Sequence, residues 1–288
     1  MYVTDFKSSP FDIYNGGNNG NPNYLGTPTS PFNGYRGTGL NGIPDTSLDA
    51  LLGSKWSTAS GQTLTLVSNS ANAQTSGHLM ASSPEVTAFQ KLAMTVPATY
   101  PATVGTFQIL VTNGATVLNE NLFAGGLAIV SAGTGIGQTL QIASHQPAAN
   151  AGTFVVTLID PIQVTLDATS KISLIANPAK NVVISPTTIT GIPVGVTIYP
   201  VQASVASTFD ATSGALTVPG IPQYFFVVSH GPVGCIIDST VTTVGYPLGP
   251  SAATPGTLGI ATLTASAQCA IAEQTLTSAQ TGAVYLEL

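Results

Sequence analysis

The chain has 288 residues, a formal net charge of −6 and only 6% charged residues, against about 25% in an average soluble domain. A chain of this length can bury a substantial core without disulfides or metals. Its six basic residues are scattered at Lys7, Arg36, Lys55, Lys91, Lys171 and Lys180, which argues against the clustered Lys and Arg that bind nucleic-acid phosphates or anionic membranes.

Scarce charge does not make a membrane span. Asn121 to Ile159 carries no Asp, Glu, Lys or Arg, yet Gly125, Gly126, Ser131, Gly133, Gln138 and Pro147 interrupt it. No run of about 18 apolar residues exists, so a spanning helix is excluded. The surface must then be Thr, Ser, Asn, Gln and backbone, which tolerates being covered by other subunits because charges are the groups depleted from interface cores. A secreted β-domain with a hydroxyl-rich surface is the alternative. The start MYVTDFKSS has Lys7 but no apolar h-region, so no signal peptide is expected.

In chain order, residues 1–45 differ from the rest. Gly, Asn and Pro punctuate them too densely for a long helix or strand. Disordered linkers are poor in aromatics, but here Tyr2, Phe6, Phe11, Tyr14, Tyr24, Phe32 and Tyr35 are seven of the chain's nineteen Phe and Tyr. Aromatic side chains bury large area at low entropic cost. The pattern predicts an extended arm whose seven aromatics are assembly contacts on a partner subunit. The competing reading is an arm folded back on its own domain.

TSLDALLG at 46–53 has caps for one or two helical turns. Pro84 stands at a plausible first helical position, but VTAFQKLAMTV after it fits helix and strand alike. From about residue 60, β signals dominate. TLTLV at 63–67 alternates. FQILVT, Asn113-Gly114 and ATVLNE predict a hairpin with a type I′ turn. LAIVSAG, TLQIAS, TFVVTLID, IQVTLD and KISLIA follow at roughly 8–12-residue spacing, the mark of a sandwich or barrel. The Pro and Gly of VVISPTTITGIPVGVTIYP mark a boundary. The expected class is therefore all-β: an arm over 1–45, a β-sandwich or barrel over 46–189 and a small β-barrel over 190–288, with at most one or two short helices.

Chemistry-bearing motifs are weak. Gly133-Thr134-Gly135-Ile136-Gly137 is followed by strand-like QTLQIAS, so it reads as a turn between strands and not as a dinucleotide fingerprint. His78, His145 and His230 have no metal-helix spacing. His230 and Cys235, in SHGPVGC, are the nearest approach to a Cys–His pair, but a turn histidine and a core cysteine account for them. Cys235 and Cys269 lie in apolar contexts without a CxxC, as expected of buried free thiols in a chain made in a reducing cytoplasm. The twelve acids are spread thinly, with Asp160, Asp167 and Asp210 near turns. No catalytic residue, cofactor or metal site is predicted, and the chain is expected not to be an enzyme.

The C-terminal third carries a resemblance. QYFFVVSHGPVGCIIDSTVTTVGYPLGPSAATPGTLG, then ATLTASAQCAIAEQTLTSAQTGAVYLEL, resembles the small β-barrel modules of tailed-phage head proteins. The matching residues are Gly231, Pro232, Val233, Gly234, Cys235, Asp238, Gly245, Pro247 and the closing Val284 to Leu288. SAGTGIGQTLQIASH and DPIQVTLDATSKISLI also look like segments of virion proteins, so the resemblance covers about two thirds of the chain. It implies a capsid decoration (cement) or minor head protein, made in the host cytoplasm and placed on the capsid exterior. Its partners would be the major capsid protein and copies of itself as a homotrimer or homodimer, without nucleic acid or membrane. A fibre or receptor-binding protein is the alternative, and a virion-borne glycan hydrolase a remote one.

Overall fold

The computed structural model describes residues 51–90, 94–261 and 268–288. The architecture is all-β, and the single helical element among these residues is one 3-10 turn, Thr87–Phe89. Residues 94–175 form a closed antiparallel barrel of β4 (Met94–Thr95), β5 (Gln108–Thr112), β6 (Leu127–Ala132), β7 (Thr139–His145), β8 (Thr153–Leu158) and β9 (Lys171–Ile175), in the order β4-β5-β8-β7-β6-β9. Period-two alternation fills it. Strand β8 sends Phe154, Val156 and Leu158 inward and leaves Thr153, Val155 and Thr157 toward solvent. Fully burying each such large apolar side chain contributes roughly 1.5–3 kcal/mol. In β7 the alternation places Leu140 and Ile142 inside. A register shift between Ile142 and Ser144 then turns His145 inward as well, the re-aiming a β-bulge produces.

The second layer system is a ten-stranded sheet drawn from both sides of the barrel in sequence. Before it come β1 (Lys55–Ser57), β2 (Thr63–Ser68) and β3 (Leu79–Ala81). After it come β10 (Val183–Ile184), β11 (Pro193–Thr197), β14 (Tyr224–Ile237), β15 (Pro247–Pro250), β16 (Leu258–Ile260), β17 (Ala270–Ala272) and β18 (Gln280–Glu287). A separate two-stranded ribbon joins β12 (Thr208–Phe209) to β13 (Leu216–Val218).

Strand β14 is the spine. Its first half pairs with β2, from Tyr224↔Ser68 to His230↔Thr63. Its second half pairs with β18, from His230↔Glu287 to Ile237↔Gln280. The halves meet at Gly231, where φ is +96° and a Cβ would run into the Gly61 carbonyl oxygen. Only glycine adopts that backbone without strain. From β14 the pairings run to β16, β15, β17 and β18 and return to β14. They close a second, smaller barrel whose interior holds Cys235, Ile237, Leu248, Leu258, Ala270, Val284 and Leu286.

Several expectations change. Strand pairing crosses position 189: β2 and β3 pair with β14 and β11, and the first barrel is inserted between β3 and β10. The Asn113-Gly114 hairpin does not form. Strand β5 has β8 and β4 as its neighbours, so 115–120 finds no edge there, and neither turn residue has positive φ. Instead the buried Asn113 amide donates to the carbonyls of Thr116 (2.7 Å) and Ala149 (3.1 Å). IQVTLD contributes only an isolated bridge, Leu166 to Ala102. Pro84 starts no helix: 86–90 makes the single 3-10 turn, and Met94–Thr95 enters the barrel as β4. Of the helix expected at 46–53, residues 46–50 lie outside the described residues, and Leu51 to Gly53 form a turn.

Candidate functional site

The predicted assembly contacts Tyr2, Phe6, Phe11, Tyr14, Tyr24, Phe32 and Tyr35 all lie outside the described residues. The described surface nonetheless offers an apolar face at one end of the first barrel. Three loops build it, 97–107, 133–138 and 159–170. Hydrogen bonds tie them together: Ala102 N–H to Leu166 O (3.0 Å), Gly105 N–H to Ile162 O (2.9 Å) and Leu158 N–H to Phe107 O (2.8 Å). The Gln138 amide clasps the third loop to the second, accepting from Gln163 and Val164 N–H and donating to Val164 O, each at 3.0 Å. Gly133, at φ +78°, lets the second loop pass so close to Thr169 that a Cβ would strike its carbonyl.

This stiff rim exposes Tyr100, Val104, Phe107, Ile136, Ile159 and Val164, with Ile136 67% and Tyr100 64% accessible. Single exposed apolar residues are ordinary; here six lie on loops that hydrogen bonds connect. Two acids stand beside it. Asp167 is held below the ordinary carboxylate range first by the Thr134 hydroxyl (2.7 Å), then by the Thr169 hydroxyl (2.6 Å) and N–H (2.8 Å). Its carboxylate therefore serves the turn. Asp160 follows Ile159 just past the end of β8.

His145 is buried, accepts Phe123 N–H at Nε2 (3.0 Å) and sits 2.9 Å through Nδ1 from the Gln146 carbonyl. That pattern requires a neutral ring with its proton on Nδ1. Burial lowers its pKa, with the Gln146 bond opposing. His230 and Cys235 share β14 but face opposite ways. His230 is exposed, its ring edge-on to Tyr285, while Cys235 is fully buried. Cys235 and Cys269 are free and buried, and desolvation pushes both thiols up to about 12. Thiols with such pKa values are inert at neutral pH. Asp210 caps its own turn through Ser213 and Thr212. Asp238 accepts from the Ser239 hydroxyl (2.7 Å) and from Ser251. Among the described residues no three His, Cys, Asp or Glu side chains are grouped to hold a metal ion, and no helix is long and apolar enough to cross a membrane.

Two clefts flank the waist where the chain passes between barrel and sheet. One, of about 470 Å³, is lined by Asn69, Ser70, Glu120, Asn121, Lys180 and Tyr224 among others. The other, of about 700 Å³, is lined by Val86, Leu122, Phe123, Leu127, Ile175 and Ile192 among others, with Glu85 the one charged residue among the described residues of its lining. Sequence reading missed the apolar rim. Its one available signal was Ile136 between Gly135 and Gly137, a large apolar residue at a turn position where no strand face buries it. Comparison with protein-family models, with curated proteins and with solved structures finds no match to this chain.

Proposed function

We propose that this chain is a virion structural protein, a capsid decoration or cement protein. It binds the outer capsid shell and stabilises it by bridging neighbouring subunits, as a homotrimer or homodimer and without a catalytic step. The observation that carries an assembly role is the rigid rim of six exposed apolar side chains at the barrel end. The phage setting comes from the resemblance of the C-terminal third, and two small closed barrels are the kind of module that resemblance implies.

The mechanism is additive burial. Each contact removes apolar area at about 25 cal/mol per Å² before association costs, and many copies repeat it over a shell. Loops tied to one another lose little freedom on docking, so more of the gross gain survives as affinity. The scarcity of charge leaves few groups to desolvate.

Electron microscopy of particles assembled with and without the chain tests this reading. Loss of surface density and earlier rupture of the shell on heating are the expected results. Shells that are equally robust without the chain would sink it. A second reading, a virion surface fibre or receptor-binding protein, draws on the smaller waist cleft. Its exposed amide and hydroxyl side chains, such as Asn121 and Ser207, are the kind of groups that recognise neutral saccharides. Binding of the isolated protein to host cells, competed by free sugar, would favour it.

A further inference from the structure

The apolar waist cleft has a local candidate to fill it. Val86, Leu127, Ile189 and Ile192 on its walls are all exposed, Ile192 at 64%. They stand at the crossing of the two linkers that carry the chain into the first barrel and out again. The described chain begins at this crossing. The Asn177 side chain donates to the Leu52 carbonyl (3.3 Å), and Gly53 packs beside Ala179 and Asn177. Asn177 and Pro178 are themselves cleft wall. The segment upstream of Leu51 therefore leaves the fold next to the cleft.

That segment has matching chemistry. From Ile13 to Tyr35 it carries no Asp, Glu, Lys or Arg, and it holds Tyr14, Tyr24, Phe32 and Tyr35. Among its described residues the cleft offers one charge, Glu85, and its walls include Ile, Leu, Val and Phe. Reach is no obstacle, since the residues between Tyr35 and Leu51 can span roughly 50 Å when extended. A tethered ligand also meets its site at an effective concentration of order mM, far above that of a second copy in dilute solution.

We propose that the waist cleft is the docking site of the chain's own N-terminal segment, with Phe32 and Tyr35 as the side chains that fill it. Docking occurs within one molecule and covers apolar wall that is otherwise exposed. The claim concerns the free protein and does not depend on the capsid reading.

Two measurements on the full-length protein test it. In the double variant Asn33→Cys with Thr190→Cys, mild oxidation at micromolar concentration should form an intramolecular disulfide in most molecules. The buried native thiols do not compete. The control pair Asn33→Cys with Thr277→Cys, whose second position is away from the cleft, should remain open. No bridge in the first pair, equal bridging in the control, or a bridge found only between copies would overturn the proposal. In the second measurement, Ile192→Asp places a charge on the exposed wall without touching the core. Trypsin cleavage after Arg36 should then accelerate at least tenfold over the wild-type chain, and an unchanged rate would overturn docking.

Discussion

The first barrel and the ten-stranded sheet are built from the same period-two alternation but by opposite routes through the sequence. The first is continuous, residues 94–175, and its first and last strands pair directly through Met94↔Ile172 and Thr95↔Lys171. The second sheet is discontinuous, with β2 placed against β14 and Thr65 hydrogen-bonded to Ser229 across 164 residues. Contacts close in sequence cost less loop-closure entropy than contacts far apart. The insert should therefore fold by itself, whereas β2 and β3, made before the insert, wait for β14 and β11 made after it.

The largest expected effect follows from that asymmetry. Removing residues 280–288 deletes β18, the strand that closes the second barrel, and the sheet should lose its cooperative unfolding transition altogether. The first barrel should keep its own transition by calorimetry, and loss of both together would erase the distinction. Next, Phe154→Ala should destabilise the first barrel by about 3–5 kcal/mol. Hydrogen exchange should speed up in β5 to β8 and leave β14 and β18 protected. Gly231→Ala tests the sheet from its spine, combining positive φ with a backbone clash. It should cost more than about 1 kcal/mol in the sheet transition alone.

Acid should separate the two regions more gently. His145 is buried neutral, with a folded pKa below the ordinary 6.5. Its contribution is present in full above pH 6.5 and falls away as pH drops from there toward the folded pKa, because the unfolded chain gains a proton that the fold refuses. The barrel transition should shift down over that window, and His145→Gln should flatten the shift. His78, lowered by burial at the edge of β3, gives the sheet a similar slope that His145→Gln leaves intact. The smallest effect is chemical. Alkylation at neutral pH should leave Cys235 and Cys269 unmodified in the folded protein and modify both in denaturant. Fast labelling of native Cys235 would restore a catalytic reading of SHGPVGC.

Much of this fold was legible where one strand equals one alternating run. TLTLV, LAIVSAG, TLQIAS, TFVVTLID and KISLIA became β2, β6, β7, β8 and β9, each read from residues that touch within a few positions. What was not legible depends on partners distant in sequence. Asn113-Gly114 has strong local turn chemistry, yet the neighbours of β5 come from 94–95 and 153–158, and tertiary pairing overrode it. Strand pairing across position 189 was hidden for the same reason: Pro and Gly mark where a chain turns, not which sheet it rejoins. The exposed rim was hidden because alternation assigns faces only within strands, and Tyr100, Val104, Phe107, Ile136, Ile159 and Val164 all lie in loops.

The β2–β14 pairing also fixes an order of events on the ribosome. Once β2 has emerged, its partner is still about 160 residues away, or roughly 10–30 s at ordinary translation rates. During that interval the first barrel can complete itself, while Leu64, Leu66 and Val67 wait beside it with no β14 to cover them. Nascent chains are thus most vulnerable to aggregation between the release of the insert and the arrival of the spine. Slowing synthesis over residues 176–224 should lower soluble yield, and speeding it should raise yield, with the finished protein unchanged.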